Sequence, residues 1–130
     1  MYEYTAKVLK VVDGDTLDLS IDLGFDVWTM QRVRLTGIDT PETHTLDVTE
    51  KALGVKAKAM VEGLIKTATL IRVQTTKSDK YGRMLVTLFV DSVNINEALV
   101  AAGYAWRYDG GTKDKTLTHL KDTHENKQSR

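Results

Sequence analysis

The chain contains no cysteine, which excludes disulfide scaffolds, thiolate zinc sites and cysteine nucleophiles together. No apolar run approaches the roughly 20 residues that a membrane-spanning helix requires, so no such helix and no membrane partner are expected. Net charge is also missing: 18 basic side chains balance 18 acidic ones. The global basic excess that would point directly to nucleic acid is therefore absent. There is no internal repeat, no low-complexity stretch, and only one proline, Pro41. Met1-Tyr2-Glu3-Tyr4 enters a strand-like pattern at once, without the basic and apolar regions of a signal peptide. An intracellular, cytoplasmic protein is the expectation; a secreted one would need a leader upstream of Met1.

What is present is 130 residues, 42% hydrophobic and 28% charged, the size and composition of one globular domain. The charge is unevenly placed. Residues 1–50 carry four basic and ten acidic side chains, giving −6, and residues 51–130 carry fourteen and eight, giving +6. Solvated faces account for such a split. So does a carboxylate cluster fit for a hard cation, set beside a basic surface.

Hydrophobic periodicity divides the chain. Residues 2–12 are strand-like and stop at the turn signal Asp13-Gly14-Asp15. Leu17, Leu19, Ile21 and Leu23 alternate with Asp18, Ser20 and Asp22, a strand with one buried and one wet face. Gly24-Phe25-Asp26 reads as the next turn. Residues 27–36 resume the alternation, with Val33 and Leu35 on one face and Arg32 and Arg34 on the other. A loop over residues 37–49 follows, of which 45–51 is expected to be mobile over a cleft. Leu53, Ala57, Met60 and Leu64, widened by Val61 and Ile65, then predict an amphipathic helix of about four turns. Residues 69–76 and 84–90 read as two further strands. Residues 94–102 fit a short helix, with Gly103 where a left-handed cap belongs. Residues 1–109 are read as one domain and 110–130 as a polar tail, frayed or briefly helical, in which only Leu117 and Leu120 could dock.

Three strands, a helix, two strands and a short helix is the element order of the OB-fold. That fold is mainly β: a five-stranded Greek-key barrel whose loops and strand 2–3 face bind oligonucleotides or oligosaccharides. Three polar segments fall at its loops and strand ends. They are Val12-Asp13-Gly14-Asp15-Thr16, Arg34-Leu35-Thr36-Gly37-Ile38-Asp39-Thr40-Pro41-Glu42 and Asp79-Lys80-Tyr81-Gly82-Arg83. Taken singly, turn chemistry accounts for the aspartates, and solvation for Arg34 and Arg83. Asp15 ends the first turn and Asp39 follows the third strand, so one barrel rim can hold both. Pro41 biases Thr40 towards extended geometry, which suits a carbonyl presented to a metal.

In this order and spacing, the three segments resemble the signature of the staphylococcal nuclease (thermonuclease) family. The resemblance extends over residues 4 to about 108, including Val93-Asn94-Ile95-Asn96-Glu97-Ala98-Leu99-Val100. It implies a calcium-dependent hydrolase, an endonuclease acting on DNA, RNA or both, that prefers single strands and leaves 3′-phosphate ends. It implies that Asp15, Asp39 and the Thr40 carbonyl bind Ca2+, with Asp13 a supporting acidic position. Arg34 and Arg83 would clamp the scissile phosphate, and Glu42 would orient or deprotonate the attacking water. An oxygen ligand set is what calcium prefers, and paired arginines suit phosphate oxygens.

The chain also departs from the family. Tyr104, Trp106 and Tyr108 stand where members carry tyrosines near the nucleotide, but in a different register; Tyr81 and Tyr108 are the candidate nucleotide contacts. The long amphipathic C-terminal helix of the family is replaced by the polar tail. His119 and His124 lie five residues apart, poor spacing for one helical face, and His44 is expected to be solvated, so no zinc site is expected. A monomer is expected. The rival reading is a non-catalytic OB-fold module that binds nucleic acid or protein, although such a degenerate domain would have lost a metal or arginine position. An oligosaccharide-binding domain would have no use for these residues.

Overall fold

The computed structural model describes residues 2–78 and 83–108. Tyr81, His119, His124, Leu117, Leu120 and the tail lie outside the described residues.

The strands are β1 (Tyr2–Asp13), β2 (Thr16–Asp22), β3 (Trp28–Leu35), β4 (Ile38–Asp39), β5 (Ile71–Ser78), β6 (Met84–Val90), β7 (Val93–Asn94) and β8 (Trp106–Arg107). The helices are α1 (Val48–Lys66) and α2 (Ile95–Ala101). β1 pairs antiparallel with both β2 and β5, β2 pairs with β3, and β5 pairs with β6. A parallel pairing of β3 with β6 closes the ring. The result is a closed five-stranded barrel with two helices, an OB-fold, as the element order predicts.

Two β-bulges, at Val8/Lys10 and Val11/Asp13, help β1 bend between its two partners. The alternation of β2 is realised: Leu17, Leu19 and Ile21 are buried, while Asp18, Ser20 and Asp22 face outward half-exposed. Leu23 does not extend this pattern. The strand ends at Asp22, and Leu23 opens a turn in which Gly24, Phe25 and Asp26 all have positive φ. The barrel interior is filled by these three residues with Val33, Leu35, Val73, Val86 and Leu88. Ile38, Val61, Ile95 and Leu99 close it from the loops and helices.

Helix α1 starts earlier than the periodicity predicts, which corrects the reading of residues 45–51 as a mobile loop. Asp47 is the N-cap, its carboxylate accepting from the Thr49 and Glu50 amides, so residues 48–51 form the first helical turn. Helix α2 ends as Gly103 predicts. Gly103 takes φ 82°, its amide donates to the Val100 carbonyl, and the Tyr104 amide donates to the Leu99 carbonyl. Buried Asn96 ties α2 to the barrel, accepting from the Leu88 amide and donating to the carbonyls of Thr36 and Val86. The end of β3 is thereby fixed. There the charged residues gather.

Candidate active site

Three elements meet at one end of the barrel: the β1–β2 turn, the end of β3, and the β4–β8 pair. The Leu35 amide donates to the Asp15 carbonyl at 2.8 Å, which binds the turn to β3. β4 pairs with β8 through Ile38 with Arg107 and Asp39 with Trp106. The Tyr108 amide donates to the Gly37 carbonyl, extending that ribbon. These backbone contacts bring together side chains far apart in sequence.

Arg34 is the centre. Its Nη2 donates to Asp39 Oδ1 at 2.8 Å and to Asp15 Oδ2 at 3.3 Å. The same Asp15 oxygen accepts the Thr40 amide at 3.1 Å, and Oδ1 accepts the Thr16 hydroxyl at 3.0 Å. The Arg34 guanidinium carbon lies 5.5 Å from the centre of the Tyr108 ring, a cation–π contact. Arg34, Asp15 and Asp39 are 7%, 6% and 5% exposed. Arg32, on the same face of β3, is exposed and forms a bidentate pair with Asp18. Alternation in the sequence puts both arginines on the polar face; Arg34 differs in its contacts with Asp15, Asp39 and Tyr108.

Two carboxylates share one guanidinium here in a largely dry setting. Burial holds the Asp15 carboxyl above the ordinary carboxylate range, against the pull of Arg34 and the Thr40 amide, and Asp39 adds to the rise. Ionised Asp15 is therefore a cost to the folded state. As pH rises from the unfolded value of about 3.9 through the raised folded value, this cost develops and stability is lost. In metal-free buffer at neutral pH, Asp15→Asn is expected to match wild type or exceed it by about 1 kcal/mol. The gap should close in acid, where Asp15 is protonated in both states. Urea unfolding across pH checks this; a variant clearly less stable at neutral pH would make Asp15 a turn-supporting group instead.

The donor set is chemically suited to a hard cation. It consists of the two carboxylates and Thr40, whose buried Oγ1 has no hydrogen-bond partner. All the donors are oxygens, which a hard cation prefers. Among the described residues no cluster of three or more carboxylate, histidine or cysteine groups occurs, so neutral oxygens would complete any coordination.

The other expected site residues lie around this centre, and the four carboxylates do not converge on one point. Asp13 accepts from the amide and hydroxyl of Thr43, and so fastens the segment that follows Thr40. Glu42 is exposed, and its amide donates to Glu50 Oε1 on α1. Arg83 is exposed at the entrance to β6; the next residue, Met84, pairs in register with Val33, beside Arg34. Tyr104 packs against the core, and Trp106 is buried against Leu53 of α1. Tyr108 reaches the centre through its ring, which lies against the Arg34 guanidinium. His44 is exposed.

One contributor escapes the sequence reading. A Cβ on Gly54, in the buried face of α1, would lie 2.7 Å from the carbonyl oxygens of both Pro41 and Glu42. The backbone carrying Glu42 thus rests directly on the helix, and only glycine permits the approach. The detectable signal is a glycine one residue after Leu53, in the apolar stripe of a helix. Gly63 of the same helix has open space around it. Gly63→Ala is expected to raise stability by up to about 1 kcal/mol through helix propensity. Gly54→Ala should lower it by about 1–3 kcal/mol through overpacking. Parallel urea unfolding of the two variants reads the difference, and equal shifts would refute the contact.

Fold and site together define the class: an OB-fold barrel with a buried arginine–carboxylate centre at one rim. The chain belongs to the staphylococcal nuclease homologue family, which matches residues 32–130. It is 34% identical to an uncharacterised protein of Methanocaldococcus jannaschii, over 95% of this chain and 70% of the relative. It is 32% identical to an uncharacterised endonuclease of Escherichia coli O157:H7, over 89% of this chain and 69% of the relative. An uncharacterised protein of Bacillus anthracis is 36% identical over 75% of this chain, which spans only 44% of that relative's length. No helix among the described residues is long and apolar enough to cross a membrane.

Proposed function

We propose that the chain is a calcium-dependent phosphodiesterase that hydrolyses DNA, RNA or both, prefers single strands and leaves 3′-phosphate ends. The observation that carries this reading is the Arg34 guanidinium shared by buried Asp15 and Asp39 at the barrel rim. Family membership and the endonuclease-named relatives of Escherichia coli support it.

In this reading Asp15, Asp39 and the Thr40 carbonyl hold the calcium ion. When bound, the ion supplies positive charge for the phosphate and a Lewis-acid centre. The protein's own groups do the rest. Arg34 meets both carboxylates through Nη2, so its Nη1 and Nε donors are not used by them and can bond phosphate oxygens. Arg83, at the entrance to the neighbouring strand, supplies the second cation of the clamp. Glu42 orients the attacking water and accepts its proton, from a backbone held by Gly54, Glu50 and, through Thr43, Asp13. Tyr108 covers Arg34 and restricts its rotamers, which fixes the clamp before substrate arrives. Tyr81 and Tyr108 are the proposed nucleotide contacts, and the chain acts as a monomer.

The test is incubation of an end-labelled single-stranded oligonucleotide with the protein, in calcium or in chelator, followed by analysis of the ends. Cleavage in calcium alone, giving 3′-phosphates, is expected. Binding without cleavage under both conditions would favour a non-catalytic OB module. Equal cleavage in chelator would remove the metal.

A further inference from the structure

Gly14, in the β1–β2 turn, is a glycine for a reason other than its backbone conformation. The two-residue hairpin loops that favour Asp-Gly take positive φ. Gly24, Gly37 and Gly103 have positive φ, and Gly14 does not join them. A side chain at this position is therefore not opposed by φ.

Space opposes it. A Cβ on Gly14 would lie 3.0 Å from the Cβ of Ala57 on α1, 3.2 Å from Thr40 Cγ2 and 3.3 Å from Thr40 Oγ1. Contacts this short oblige a neighbour to give by a few tenths of an ångström. Ala57 is fully buried, and its Cβ is fixed to the helix backbone. Thr40 is 2% exposed, and its amide is held by Asp15 Oδ2. The carbonyls of the next two residues, Pro41 and Glu42, already lie against Gly54. Rotation about χ1 does not free Thr40 either. Two of the three positions on its Cβ face Gly14, and with Cγ2 and Oγ1 both to place, at least one heavy atom stays there. All three residues of the turn thus act on the segment 40–43. Asp13 accepts from Thr43, Asp15 accepts from the Thr40 amide, and Gly14 sets how closely the turn approaches the Thr40 side chain.

We propose that Gly14 is a positioning residue for the calcium site, an inference that rests on the nuclease reading above. The missing side chain lets Thr40 settle against the turn at the depth where its carbonyl and the carboxylates of Asp15 and Asp39 meet one ion. Functional groups must hold their places to within about 0.5 Å, and the displacement that a methyl group demands here is of that order. Because Thr40 and Asp15 are bonded to each other, movement of either disturbs the pair. Groups that orient metal ligands typically contribute about 10–100-fold to metal affinity.

The experiment is a double-mutant cycle of wild type, Gly14→Ala, Thr40→Ser and the double variant. Calcium binding is read by calorimetric titration, and folding by urea unfolding in chelator. Serine keeps the carbonyl and has a single heavy atom, which can turn away from the added methyl group. Gly14→Ala should weaken calcium binding by about 10–100-fold when made in wild type. Made in Thr40→Ser, it should weaken binding by no more than about twofold. If Gly14→Ala does not fold, the same cycle is run in Ala57→Gly protein, which loses the contact with the helix and keeps both contacts with Thr40. Calcium binding of Gly14→Ala equal to that of wild type would overturn the inference. So would an equal loss in the wild-type and Thr40→Ser proteins, which would make Gly14 a residue of the fold and not of the site. In both cases wild type still binds calcium, and the nuclease reading stands. If wild type binds no calcium, the calcium reading fails and the role of Gly14 fails with it.

Discussion

Replacing Arg34 by Met is expected to destabilise the metal-free protein by about 3–5 kcal/mol at neutral pH. The substitution keeps an unbranched chain of similar reach and removes the guanidinium bonded to both Asp15 and Asp39. Two buried carboxylates would then lose the guanidinium that they share. The sign of the pH dependence follows. The Asp15 carboxyl, already raised by burial, would lose the guanidinium that opposes the rise, so the loss is full at neutral pH and shrinks as Asp15 takes up its proton in acid. Added calcium should recover part of the loss, by binding only the folded state. Urea unfolding at neutral and acidic pH, in chelator and in calcium, measures all of this. A variant as stable as wild type in chelator at neutral pH would show that the arginine does not balance the pair.

Arginine-to-lysine exchange separates chemistry from fold. Arg34→Lys keeps a positive charge between the two aspartates, so its stability should fall far less than that of Arg34→Met. Arg83→Lys, at an exposed position, should leave stability within about 0.5 kcal/mol of wild type. Both variants should nevertheless lose about 10²-fold or more in kcat, because an ammonium cannot make the two-point contact that a guanidinium makes with phosphate oxygens. Oligonucleotide affinity in chelator should change only a few-fold. Steady-state cleavage and equilibrium binding on the same preparations check the split. Near wild-type kcat in both variants would remove the arginines from the reaction.

Much of the barrel was legible because β2 writes its burial into strict alternation, and because turn residues separate the elements. The start of α1 was legible only through its cap, Asp47 with Glu50 three residues later. Periodicity misses it because Val48 and Lys51 in the first turn are exposed, so the apolar stripe begins at Leu53. The pairing of β4 with β8 leaves no trace in sequence: two-residue strands separated by about half of the chain follow from tertiary packing. Nor does the sequence show that Arg34 is buried with Asp15, Asp39 and Tyr108 while Arg32 stays in solvent. The acidic residues of the candidate site were legible as a set, but not their division of labour. Asp15 and Asp39 share the arginine, while Asp13 turns to Thr43 and Glu42 stays exposed on a backbone seated against Gly54.

The proposed function depends on whether the Asp15–Asp39 pair is a calcium site. Calorimetric titration of calcium into wild type, Asp39→Asn and Arg83→Lys addresses this without relying on turnover. One site is expected in wild type and in Arg83→Lys, and none in Asp39→Asn. Calcium binding of equal strength in wild type and Asp39→Asn would contradict the account.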